Sequence, residues 1–320
     1  MAVVSIMMPT YNAEKYIAAA LDSILQQDYP AIQIVVADDA SADGTQAIIR
    51  SYVERYPGKI TPIFNERNVG VTRNCNIALS QCVGDYVSLF AGDDIMLPGK
   101  LSNQVALMDS DPECVLCYHP VEIFDSETDK TFFITNQHPR EDVYSVQDLL
   151  LKGGIPGGCS IMLRRSALPE GGYDERLKTV SDWLFFLEIS MKGRLRKLDA
   201  VLARYRKHAG GASRQTYQLL TESLYALDLF QLKFPGNAEL PALIAQAKAR
   251  YVAGEAFRQL SSDPALALKL AADVLNYQKG SAKYLGLYVA TWVNRYVPGG
   301  RSLLGWASTR LKYFLKRIAG

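Results

Sequence analysis

The chain has 320 residues, 48% of them apolar and 21% charged, with 35 Lys and Arg against 33 Asp and Glu. Such a length implies one domain plus an extension, and the composition supports an ordinary core and excludes extensive disorder. A net charge of +2 gives no global sign of nucleic-acid binding, and no nucleic-acid partner is expected.

Residues 3–8 read as a buried strand rather than a signal peptide, because MAVVSIMMP has no basic start and runs into Pro9. Residues 14–27 have helical spacing, with Ile17, Leu21, Ile24 and Leu25 on one face. A strand at 32–37, a helix at 45–56, a strand at 60–64, a helix at 73–81 and a strand at 85–90 follow. This alternation predicts a doubly wound α/β fold with a mostly parallel sheet, whose ligands sit at the carboxyl ends of the strands. Further on, a Gly-rich loop at 153–158 leads into a strand at 159–163, a helix spans 179–191, and the chain is helical from about residue 215. The odd, scattered set Cys75, Cys82, Cys114, Cys117 and Cys159 predicts free thiols and a reducing cytoplasm. No apolar run is long enough to span a bilayer; the nearest, 284–297, contains Asn294 and Arg295.

The predicted strand ends carry the chemistry. They read Pro9-Thr10-Tyr11-Asn12, then Asp38-Asp39-Ala40-Ser41-Ala42-Asp43-Gly44-Thr45, then Asn65 to Gly70, then Gly92-Asp93-Asp94. Helix capping explains Ser41, Asp43 and Thr45. It explains the doubled aspartates at two strand ends less well, and four polar ends together predict one polar cleft.

In this order, VSIMMPTYN, VVADDASADGT, NERNVGVTRNCNIAL, GDYVSLFAGDD, GGYDERLKTVSDWLFFLEI and RKHAGGAS resemble the motifs of a family 2 glycosyltransferase of the GT-A fold. The resemblance covers residues 1–215, implying a catalytic domain there and a helical extension at 216–320. It implies inverting transfer of a sugar from a nucleoside diphosphate, UDP or dTDP favoured, to a saccharide or lipid-linked acceptor hydroxyl, with Mn²⁺ or Mg²⁺, in bacterial surface polysaccharide synthesis. On the matching positions, Asp94 becomes the metal ligand, with Asp93 beside it toward the ribose or sugar. Asp182 becomes the general base, although Ser181 stands where the family has Glu. Asp39 becomes the acceptor of a pyrimidine N–H, walled by Pro9, Thr10 and Tyr11, and Asn68 and Gly70 the loop that meets the nucleotide. His208 is a further metal or diphosphate contact, or a solvated loop residue. Arg73, Asn76, Arg164, Arg165, Arg206 and Lys207 are open between substrate and surface roles. The acid that usually precedes Asp93 by two residues is here Ala91.

After Asp273 there are eight basic residues and no acid. Leu304, Ala307, Leu311, Phe314, Leu315 and Ile318 share one helical face, which suits an anionic membrane surface, a homo-oligomer contact or a cap on the catalytic domain. The expected location is the cytoplasm, with the tail at the inner face of the membrane. Two rival functions are a nucleotidyltransferase, which would want a Gly-rich phosphate loop after the first strand, and a catalytically inactive nucleotide-sugar-binding or scaffolding protein.

Overall fold

A computed structural model describes residues 1–207 and 216–297, so His208 and the tail positions from Leu304 onward lie outside the described residues. Two compact units divide between Ala212 and Ser213.

The first unit opens with β1 (Val4–Thr10), α1 (Ile17–Leu25), β2 (Ile32–Asp38), α2 (Thr45–Arg55), β3 (Ile60–Phe64), α3 (Val71–Ser80) and β4 (Tyr86–Leu89). Then come β5 (Ile95–Met96), α4 (Lys100–Ser110), β6 (Cys114–Tyr118), β7 (Val121–Asp125), β8 (Thr131–Ile134), α5 (Val146–Lys152), β9 (Met162–Arg164), α6 (Ser181–Ser190), β10 (Arg194–Lys197) and β11 (Ala203–Lys207). Seven strands form the main sheet in the order β10-β6-β9-β4-β1-β2-β3. It is parallel except at β9, which runs antiparallel to both β4 and β6. A second sheet has the order β5-β11-β7-β8.

The central strands are apolar on both faces, as buried parallel strands must be. Ile6, Met8, Ile34 and Val36 meet Ile17, Leu21 and Ile24 of α1 in one core. All five cysteines are free and buried; Cys114 and Cys117, both on β6, are completely buried.

The β1 and β2 ends are bound into one platform. Asn12 N donates to Ser41 Oγ, Ala42 N to Asn12 Oδ1, Ala13 N to Thr45 Oγ1 and Gly44 N to Glu14 Oε2. Asp38, fully buried, accepts from Ser41 N, Ser41 Oγ and Gln46 Nε2. The doubled aspartate of β2 is therefore half turn chemistry after all: Asp38 closes the loop and has no part in a cleft.

The second unit holds α7 (Thr216–Lys233), α8 (Leu240–Gln259), α9 (Pro264–Tyr277) and α10 (Ala282–Tyr296). Ala249, Val252 and Ala256 of α8 pack on Leu270, Ala271 and Val274 of α9; the small residues permit close approach of the helices. Asp263 caps α9 by accepting from Leu266 N, ahead of Pro264.

Candidate active site

The first sheet delivers Asp39 to the carboxyl edge of β2, buried to 3% exposure. Its Oδ1 accepts from Asn65 Nδ2 (3.0 Å) and Val69 N (2.8 Å), and its Oδ2 from Gly70 N (2.9 Å). A carboxylate has about four acceptor positions, so one remains on Oδ2. Gly70 has φ 87 and ψ 157, a conformation essentially reserved for glycine, and its N–H is shared with Asn68 Oδ1 at 3.2 Å. Asp39 thus orders the loop that carries Asn68 and Gly70. Tyr11 is 52% exposed beside this loop's platform, whereas Thr10 is buried with its Oγ1 lacking a partner among the described residues. A Cβ on Gly92 would sit 2.5 Å from that hydroxyl, so only glycine lets the β4 end approach β1.

Beyond Gly92 the two acids part company. Asp93 is half-buried and Asp94 only 2% exposed. Asp94 Oδ1 accepts from Arg206 N (3.0 Å), and Arg206 Nε donates to the Asp93 carbonyl (2.7 Å). The Cys159 thiol is a further hydrogen-bond partner of Asp94. Burial first, and then the charge of Asp93, push the Asp94 carboxyl up to about 8, against the opposing pull of the Arg206 N–H. The Arg206 guanidinium lies 4.7 Å from the Tyr16 ring centroid and 4.6 Å from that of Phe124. Arg206 is thus a clamp on the acidic turn.

Asp182 opens α6. It is the one residue of that helix not buried, and its Oδ1 accepts from Trp183 N at 2.7 Å. Ser181, in place of the family's Glu, lies 3.0 Å from Thr72 Oγ1, which also donates to the Leu177 carbonyl. These contacts fix the start of α6 against α3. Two neighbours tie the acids together. Burial raises the Tyr205 phenol to about 12, with Asp94, Asp93 and Asp182 adding to it. Burial likewise raises the Cys75 thiol to about 12, with Asp182 and Asp39 adding to it. Tyr205 thus lies within electrostatic reach of Asp93, Asp94 and Asp182, and Cys75 of Asp39 and Asp182.

Several open candidates have structural work. Asn76 receives Tyr173 N and donates to the Tyr173 carbonyl, bracing the 171–175 turn. Arg164 donates to the carbonyls of Met108 in the last turn of α4 and of Asp111 and Cys114 beyond it, and Arg165 to that of Gly84. Both lie at the end of β4 opposite the acids.

Beneath the site Lys100 is fully buried, donating to Ser88 Oγ and Gln104 Oε1 at 2.8 Å each, with no ion pair among the described residues. Burial lowers it to about 8, opposed by the nearby Cys159 and Cys117. Its folded pKa lies below the unfolded value near 10.5. The unfolded chain therefore binds more protons between about pH 8 and 10.5, and Lys100 adds stability as pH rises through that window. Lys100→Met removes that contribution. Its stability relative to the parent, measured by urea unfolding, is expected to fall from pH 7.5 to pH 10 by up to about 1.4 kcal/mol per pH unit. A difference that does not vary with pH would show that Lys100 keeps its ordinary proton.

Residues 5–171 match the profile of glycosyl transferase family 2. The chain belongs to that family. Among similar proteins, an uncharacterized Mycobacterium tuberculosis protein is 36% identical over 218 residues, 67% of this chain and 61% of that protein's length. Bacillus subtilis EpsE is 30% identical over 196 residues, 59% of this chain and 68% of its own. The chain's matched region thus spans about three fifths of the Mycobacterium relative. Among solved structures, Staphylococcus aureus TarS 1-349 in complex with UDP-GlcNAc superposes with a TM-score of 0.66, at 19% identity over 94% of this chain and 87% of that one. A Pyrobaculum calidifontis mannosyltransferase in complex with GDP-Man and Mn²⁺ gives 0.58, at 20% identity over 99% and 87%. At such identities the likeness establishes the GT-A-type fold alone.

The family implies a divalent cation, and the donor set fits one. No cluster of three or more His, Cys, Asp or Glu gathers among the described residues. A hard cation bound jointly by one open carboxylate, diphosphate oxygens and water needs no such cluster. Asp93 is the more exposed of the two acids, whereas Asp94 is buried and accepts from Arg206 N.

Proposed function

We propose that this chain transfers a sugar from a nucleoside diphosphate, UDP favoured, to an acceptor hydroxyl with inversion. The observation that carries the reading is Asp182, the one exposed residue of α6, within electrostatic reach of Tyr205 and Cys75 as are the acids at the β4 and β2 ends. Asp182 takes the acceptor proton as the hydroxyl oxygen bonds to the anomeric carbon and the bond to the diphosphate breaks, releasing the nucleoside diphosphate. Asp39 Oδ2 has room for one imide N–H of the base, between Tyr11 and the Asn68–Gly70 loop. Mn²⁺ or Mg²⁺, when held by Asp93, neutralises charge on the leaving diphosphate. Among S. aureus TarS structures are complexes with UDP and UDP-GlcNAc, which favours UDP here. UDP with Mn²⁺ is expected to raise the melting temperature by several degrees, as a ligand near 100 times its Kd adds about 2.7 kcal/mol. No shift with any nucleoside diphosphate and metal would sink this reading.

A second reading concerns α10. Tyr284, Leu287 and Thr291 face the core of the second unit, yet Leu285 (54%), Val289 (51%), Trp292 (45%) and Tyr296 (59%) form an exposed stripe on the other side. With basic flanks and no acid after Asp273, the stripe suits the interface of an anionic bilayer, near a lipid-linked acceptor. Among the described residues no helix is long and apolar enough to cross a membrane. The full chain should co-sediment with vesicles containing phosphatidylglycerol, and Trp292→Ser with Tyr296→Ser should weaken this by about tenfold or more, given the apolar area removed. Equal sedimentation of the variant would dismiss the stripe as a membrane contact.

A further inference from the structure

The outer strand of the second sheet, β8, exposes two adjacent aromatic residues, Phe132 at 56% and Phe133 at 53%. A bare apolar edge ordinarily invites another strand. This edge is built against that. Ile123 pairs with Phe133 and Phe124 with Thr131, so Phe132 is an extra, bulged residue, and the strand is four residues long. A ligand fits such an edge better than a second chain.

The pairing connects this edge to the acids. Tyr205 of β11 pairs with Ile123 of β7, and Ile123 with Phe133 of β8. Paired residues share a face, so the three side chains form one row across the sheet. Two strand spacings, about 10 Å, separate the backbones at its ends. The Tyr205 end is the one beside Asp93, Asp94 and Asp182. Lys207, two residues beyond Tyr205 and so on the same face, places its Nζ 5.9 Å from the Phe133 ring centroid. Among the described residues Lys207 has no ion pair. Asp125, its partner in register, is engaged by Glu127 N, Thr128 N and Thr128 Oγ1.

A flat apolar ring with a cation over it, in a row that ends at the acids, matches a pyranose that stacks through its C–H face and carries an anionic group. We propose that Phe133 and Lys207 form an acceptor-side subsite for a saccharide bearing a carboxylate or phosphate. The inference rests on the sugar-transfer reading. It names the acceptor's chemical class: an anionic glycan, whose ring beside the accepting sugar lies on Phe133.

Saturation-transfer NMR on the full chain tests it, with methyl β-glucuronide and glucose 6-phosphate as anionic probes and methyl β-glucoside as the neutral control. Calorimetric titration of UDP with Mn²⁺ on the same samples reports the donor site separately. Transfer to one or both anionic probes, stronger than to the glucoside, is expected; a carboxylate-only or phosphate-only response identifies the anion. Phe133→Ala and Lys207→Met should each weaken it about fivefold, near the worth of one exposed cation–π or ion-pair contact, with UDP affinity unchanged. No transfer to either anionic probe, or transfer undiminished in both variants, overturns the subsite while UDP binding leaves the parent reading in place. Saccharide binding without any UDP binding overturns the sugar-transfer reading instead.

Discussion

Asp182→Asn is expected to lower kcat by about 10²- to 10⁴-fold, the usual worth of a positioned general base, with UDP affinity in the presence of Mn²⁺ essentially unchanged. Asn keeps the shape of the side chain and an oxygen to accept the Trp183 N–H, so the start of α6 should hold. The substitution removes only the capacity to take a proton. Asp182 is also anchored from behind: Ser181 is tied to Thr72, and Trp183 Nε1 donates to the Leu149 carbonyl. A loss confined to kcat is therefore chemical rather than structural. The measurement is steady-state transfer to an accepted glycan, or UDP-sugar hydrolysis where none is in hand, with UDP titrations alongside. A variant that turns over at the parental rate would remove Asp182 from the base role. A parent chain that binds donor tightly yet never turns over would favour an inactive binding protein.

The sheet was legible because its strands are unbroken apolar runs and its polar residues cluster at the carboxyl ends. Asp39 and the Asn68–Gly70 loop stand out for the same reason, whereas Asp182, in the first turn of α6, was marked by the family resemblance alone. What the sequence hid are contacts across long separations. Arg206 meets Asp93 and Asp94 from more than a hundred residues away, and nothing in RYRK marks which side chain faces them. Tyr205 was invisible for the same reason. β9 runs against its neighbours, and a three-residue strand has too few side chains to declare a direction. Asn76 and Arg164 read equally well as substrate contacts until their backbone partners are known. Two adjacent aspartates also look alike in sequence, although one is half-buried and the other almost wholly buried.

That last ambiguity yields the second large effect. The motif alone assigns the metal to Asp94. Its burial and its bond to the Arg206 N–H are the grounds on which we propose Asp93 as the ligand and Asp94 as a strut. Asn at position 94 would still accept that N–H while removing a buried charge, so Asp94→Asn should melt at or above the parent temperature in metal-free buffer. Asp94→Ala orphans the Arg206 N–H and should cost about 1–3 kcal/mol. In both, Mn²⁺ should still tighten UDP binding, weakened by about 10- to 100-fold as for the loss of a group that orients a ligand. Asp93→Asn should fold normally and lose the Mn²⁺ response entirely, because the more exposed carboxylate is gone and the buried one cannot turn outward without breaking the clamp. UDP titrations with and without Mn²⁺, followed by calorimetry and by melting, separate the cases. If Asp94→Asn abolishes the response and Asp93→Asn retains it, the metal belongs on Asp94, and the clamp must open when the donor arrives.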